Sequence, residues 1–223
     1  MTTITHQQNK LMEALIQADK EMAIEIISEW AQIHTFKNTL ISLFQPVLDR
    51  FGELWFKGEI SLAQGYVAGL IAEEVFVIAS ESGEFKKEDV DKSKVAVIGN
   101  AEDDYHALGR KLLVTFLKMA GWQIHDLGND VVAKDFVDKA VETDASVIGV
   151  SAMMFTTANN IRKIRDELDA RNLTGKIQLA VGGAIFRLRP ELCREVGGDG
   201  TVDNALEAND LFMKLKEVSA RYK

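Results

Sequence analysis

Four short apolar runs, 95–99 (VAVIG), 121–125 (GWQIH), 147–151 (VIGVS) and 177–182 (IQLAVG), are each separated from the next by a segment of helical period. Runs of strand length that alternate with helices are the pattern of βαβ units around a parallel sheet. A fifth, weaker run at Gly200-Thr201-Val202 precedes a last helix, with Asp203 as its expected N-cap. Five strands and their helices over the region 89–223 predict a flavodoxin-like, Rossmann-type doubly wound domain with strand order 2-1-3-4-5. In such a sheet the ligand crevice lies beyond the carboxyl ends of the strands, where strands 1 and 3 diverge.

The first part of the chain has a different period. From about residue 7 to residue 82 the apolar residues recur at helical spacing: Leu11, Leu15 and Ile16, then Met22, Ile26, Ile27 and Trp30, then Phe36, Leu40, Leu43, Phe44, Val47, Leu48, Phe51 and Leu54. This predicts a helical bundle over 1–88, with four helices. Asp19 is positioned to cap the second, and Ser61 with Gln64 forms a capping-box pattern for the fourth. Pro46 falls inside the third pattern, where a missing amide bends or interrupts a helix. The polar, aperiodic stretch GEFKKEDVDKS at 83–93 reads as an interdomain linker.

The net charge of −8 argues against a general nucleic-acid or anionic-membrane surface, which needs clustered Lys and Arg. It suits docking to basic faces of partner proteins. The one cysteine, Cys193, excludes an internal disulfide and any Cys-rich metal site. The N-terminus shows no basic segment followed by an apolar core, so a cytoplasmic protein outside the membrane is expected.

Three unusual segments follow the predicted strands on the crevice side. Asp104-Tyr105-His106-Ala107-Leu108-Gly109 follows strand 1, Ser151-Ala152-Met153 closes strand 3, and Gly182-Gly183 closes strand 4. A carboxylate two residues before an imidazole suits a metal ligand, because the ring nitrogen that does not bind metal needs an acceptor for its hydrogen. His106 is therefore the candidate metal ligand. The glycine pair reads either as a turn or as room for a bulky ligand close to the backbone. No Gly-rich phosphate loop surrounds Gly99.

In that order the three segments resemble the signature of the cobalamin-binding domain shared by methionine synthase and the corrinoid proteins of methyltransferase systems: Asp-x-His-x-x-Gly, Ser-x-Leu, Gly-Gly. The stretch 52–64 (GELWFKGEISLAQ) is similar to the end of the helical cap module that precedes this domain in corrinoid carriers and cobalamin photoreceptors. Two positions depart from the pattern: Met153 stands for leucine, and Asp103 stands where glycine usually precedes the motif.

The resemblance implies that His106 is the lower axial ligand of cobalt, replacing the cofactor's dimethylbenzimidazole, and that Asp104 holds its imidazole. Ser151 would contact the displaced base, and Gly182 and Gly183 would leave it space. A hydroxyl that extends the His–Asp pair is sought at Thr157 or Thr156; either equally suits the cap of the following helix. Trp55, Leu62 and Tyr66 are the candidates in the cap module for covering the upper face.

The function implied is a corrinoid carrier, with methylcobalamin in the working cycle and no catalytic side chain beyond the cofactor. It would pass a methyl group from a donor-specific methyltransferase to an acceptor methyltransferase, and a reductive activase would restore it. The alternative is a cobalamin-dependent sensor built from the same modules. Light-sensing relatives usually carry Glu-His where this chain has Gly65-Tyr66.

Overall fold

The computed structural model describes residues 3–84, 91–203, 205 and 207–222. The chain divides into two compact units, Met1–Lys86 and Lys87–Lys223.

The first unit is helical: α1 (Ile4–Ile16), α2 (Lys20–His34), α3 (Phe36–Thr39), a π-helical turn (Leu40–Phe44), α4 (Gln45–Phe56) and α5 (Leu62–Glu81). The α3–π–α4 run is the third helix of the sequence pattern. Helix α1 stops where Ala18 turns to φ 57°, and the Asp19 amide returns to Ala14 O at 2.8 Å. The Asp19 carboxylate then accepts from the Met22 amide and starts α2. Ser61 and Gln64 form the expected capping box of α5.

Pro46 accounts for the π turn. It has no amide for Ser42 O and its ring crowds that carbonyl; the backbone widens so that the Gln45 amide bonds Leu40 O, and Gln8 Nε2 donates to Ser42 O at 2.8 Å. Leu11, Leu15, Ile27, Leu43, Phe44, Val47 and Ile71 fill the core of this unit.

The second unit is a sheet of β1 (Val95–Asn100), β2 (Gln123–Asp126), β3 (Val147–Ser151) and β4 (Gln178–Gly182), all parallel, in the order β2-β1-β3-β4. Helices α6 (Ala107–Met119) and α12 (Ala208–Ala220) cover one face. Helices α7 (Ala133–Glu142), α8 (Phe155–Asn160) and α9 (Arg162–Ala170), with the short α10 (Ala184–Leu188) and α11 (Leu192–Glu195), belong to the other side. Val97, Ile148, Val150, Leu179 and Val181 point to one apolar layer with Phe136 and Leu168, and Ala96, Ile98, Val147 and Ala180 to the other with Trp122 and Phe212.

Two sequence expectations are corrected. The fifth strand is reduced to a single bridge between Ala180 and Gly200. Gly197, Gly198 and Gly200 give that segment little strand preference, and the Asp199 carboxylate occupies the Leu179 amide at 2.6 Å, where a paired carbonyl would sit. The last helix begins at Ala208 with Glu207 as its cap residue, not at Asp203.

Candidate functional site

Three strand ends meet at one edge of the sheet. Asn100, Ser151 and Gly182 are in register across β1, β3 and β4, so the segments that follow them are neighbours. Beyond Asn100 the chain makes a tight loop, and His106 is the residue that opens α6.

The Asp104 side chain is fully buried beneath this loop. Its Oδ1 accepts from the His106 amide at 2.9 Å, His106 Nδ1 at 3.2 Å and Asn100 Nδ2 at 3.2 Å. Its Oδ2 accepts from the Met153 amide at 2.8 Å and Thr157 Oγ1 at 2.7 Å. Burial alone would raise its pKa; the Met153 amide, the Thr157 hydroxyl and the His106 amide and ring outweigh that and hold it below the ordinary value of 3.8. The group is therefore an anion at neutral pH. An ionised carboxylate only accepts, so the hydrogen of a neutral imidazole sits on Nδ1 and the lone pair on Nε2. The His106 side chain is 43% exposed, which opens the ring to a ligand partner.

Thr157 combines the two uses foreseen for a hydroxyl here. Its Oγ1 bonds Asp104, and it also accepts from the Met154 amide at 3.4 Å at the start of α8. Thr156, next to it, is exposed. Met153 lends the site its backbone amide.

The two glycines differ. A Cβ on Gly183 would lie 2.1 Å from Ala152 O, and its φ is 111°, so close backbone packing explains that residue. A Cβ on Gly182 would meet nothing within 4 Å, and one on Gly109 would meet only Ser151 Oγ at 3.6 Å. Gly109 and Gly182 thus leave open space on the side of Ser151, room that a group bound there could use. Tyr105 is exposed, and Ala107 and Leu108 are half-buried on the first turn of α6. Trp55 and Tyr66 belong to the first unit, where the Trp55 ring lies across Gly65 and Tyr66 is exposed; the Leu62 side chain is outside the described residues.

Sequence reasoning passed over a second polar layer. Arg110 is buried, donates from Nε to Asn100 Oδ1 at 3.1 Å, and pairs with the Asp126 carboxylate. Asn100 in turn donates to Asp104 and to His106 O at 3.0 Å. The available signal was an amide side chain ending an otherwise apolar strand, ten residues before a cation in the following helix.

The comparisons with known proteins agree with this chemistry. Residues 94–210 match the B12 binding domain model, and residues 7–78 match a second model with the same description. The chain belongs to the B12-binding corrinoid proteins. It is 29% identical to dimethylamine corrinoid protein 1 of Methanosarcina mazei over 98% of both chains. It is 30% identical to trimethylamine corrinoid protein 1 of the same organism, over 78% of this chain and 82% of that one. The monomethylamine corrinoid protein of Methanosarcina barkeri superimposes with a TM-score of 0.81 at 25% identity, covering 96% of this chain and 100% of that one. It is a corrinoid protein of the kind found in methyltransferase systems, and cobalamin is its cofactor. Among the described residues no helix is long and apolar enough to cross a membrane.

Proposed function

We propose that the protein is a methyl carrier that holds cobalamin base-off with His106 as the cobalt ligand, and serves a methylamine-specific donor methyltransferase and a separate acceptor methyltransferase. The observation that carries this reading is the buried Asp104 carboxylate, which accepts from Nδ1 of the partly exposed His106 ring, a contact that assigns the lone pair of the neutral ring to Nε2. When bound, the corrinoid supplies the metal centre at which a methyl group is taken up and released.

The chain's own residues would do the rest. His106 Nε2 ligates, Asp104 orients the ring, and Thr157 with the Met153 amide keeps Asp104 ionised. Gly109, Ser151 and Gly182 border the space for the displaced base and its tail. Trp55, Leu62 and Tyr66 are assigned to the upper face on the analogy of the cap module alone. A reductive activase is the third partner in this reading, which places the protein in the cytoplasm.

The methylamine assignment draws on the names of the full-length relatives, and the same names favour the carrier over the sensor. The test is transfer with purified donor methyltransferases for mono-, di- and trimethylamine. Demethylation that depends on this protein and is lost in His106→Ala supports the reading. A loaded protein inert with all three, but active with another methyl donor's enzyme, rejects the methylamine class while keeping the carrier.

A further inference from the structure

The loop that presents His106 is gripped from two sides. On the inside Asn100, Met153 and Thr157 hold the Asp104 side chain. On the outside a single residue from the loop between β2 and α7 does comparable work. Asp130 Oδ1 accepts from the Asp103 amide at 2.9 Å, its Oδ2 accepts from Tyr105 Oη at 2.5 Å, and its own amide donates to Asp104 O at 3.1 Å. The residues on both flanks of Asp104, and its carbonyl, are thus tied to one side chain and one amide.

The same contacts answer the departure at Asp103. That residue has φ 67° and Asp130 has φ 54°, the left-handed region that aspartate tolerates better than most side chains. Asp103 occupies the conformation a glycine would take there, with Asp130 bonded to its amide. The far side of the loop is held by Asn160 Nδ2, which donates to Glu102 O at 2.9 Å, and by the Lys163–Glu102 ion pair.

We propose that Asp130 is a positioning residue for His106: with Tyr105 it braces the loop so that the imidazole stays within reach of the metal. The proposal rests on the reading of His106 as the cobalt ligand. Without the Asp130 side chain, the Asp103 amide and the Tyr105 hydroxyl lose this partner, and the loop is held by the Asn160 contact with Glu102, the Asn100 bond to His106 O and the Asp104 side chain.

The experiment compares wild type, Asp130→Ala, Asp130→Asn and Tyr105→Phe as full chains loaded with cobalamin. The fraction of histidine-bound cobalt is read from the axial-nitrogen splitting in the electron paramagnetic resonance spectrum of the cobalt(II) form. The ratio of bound to unbound histidine should fall about tenfold in Asp130→Ala, the scale of one hydrogen bond to a charged group, while the protein still retains cobalamin stoichiometrically.

Asp130→Asn keeps an acceptor for Asp103 and can donate to Tyr105, so it should restore most of the ratio. Tyr105→Phe removes one bond and should shift the ratio the same way by less, which keeps the test intact if Asp130→Ala does not fold. An unchanged ratio in a folded Asp130→Ala or in Tyr105→Phe overturns the proposal. A wild type that binds no cobalamin overturns the functional reading instead. The brace is then judged without cofactor, by 15N resonances of the His106 ring. A smaller Nδ1–H fraction in Asp130→Ala, from a looser Asp104–His106 contact, is expected, and an unchanged fraction refutes the brace.

Discussion

The paired glycines at the end of β4 should respond in opposite ways to the same substitution. In Gly183→Ala the new Cβ meets Ala152 O at 2.1 Å and Ala152 C at 2.9 Å, both backbone atoms that cannot rotate away. The backbone at φ 111° and ψ 171° is also close to glycine-only territory, worth about 1–3 kcal/mol of strain. Forced overpacking adds about 1–3 kcal/mol, so the variant should lose roughly 2–6 kcal/mol of a domain stability of about 5–15 kcal/mol.

In Gly182→Ala the Cβ meets nothing within 4 Å. The cofactor-free protein should stay within about 1 kcal/mol of wild type, and a reduced unfolded-state entropy favours a slight gain. Cobalamin should nevertheless bind about five- to hundredfold more weakly, because the methyl group enters the space assigned to the tail. Urea unfolding of the cofactor-free proteins followed by circular dichroism, with equilibrium titration of cobalamin, measures both effects. A Gly182→Ala protein that is as unstable as Gly183→Ala, or that binds cobalamin like wild type, would refute the assignment of that space.

Three further outcomes follow from the geometry. Thr157→Val removes a hydrogen bond to a buried carboxylate at nearly constant shape, and should cost about 1.5–3 kcal/mol in urea unfolding of the cofactor-free protein. The depressed pKa of Asp104 contributes stability that is fully present above its unfolded value of 3.8 and is lost as pH falls through the lower folded value. The difference in stability between wild type and Asp104→Asn should therefore be flat from neutral pH to about 5 and shrink only below about 4, as unfolding measured across pH will show. Ser61→Ala removes the capping box of α5 and should lower the stability of the helical unit by about 1 kcal/mol, read by thermal unfolding.

The sequence made the architecture legible wherever the signal was local. The change of period separates helical from α/β structure, and Asp19, Ser61 and Gln64 mark helix starts because capping acts within three residues. The failed fifth strand shows the limit: Val202 looks like a strand residue, but the outcome was decided by the Asp199 side chain taking an edge amide on β4. At the site, Asp104 and His106 were readable because their spacing is a contact in itself and their place after β1 follows from topology. Thr157 was readable as a hydroxyl for either use, but its making both contacts at once was not, since Asp104 lies 53 residues away. Asn100, Arg110 and Asp130 carried no motif, and their roles come from partners 10 and 27 residues distant that only the folded sheet brings close.

The most direct measurement of the central claim is the visible spectrum of the protein after mixing with cobalamin in the dark and removal of free cofactor by gel filtration, for wild type and His106→Ala. The account predicts a red, stoichiometric protein fraction with a base-off, histidine-ligated spectrum whose axial-ligand features are lost in the variant; a colourless protein peak, or a spectrum identical in the two proteins, would contradict it.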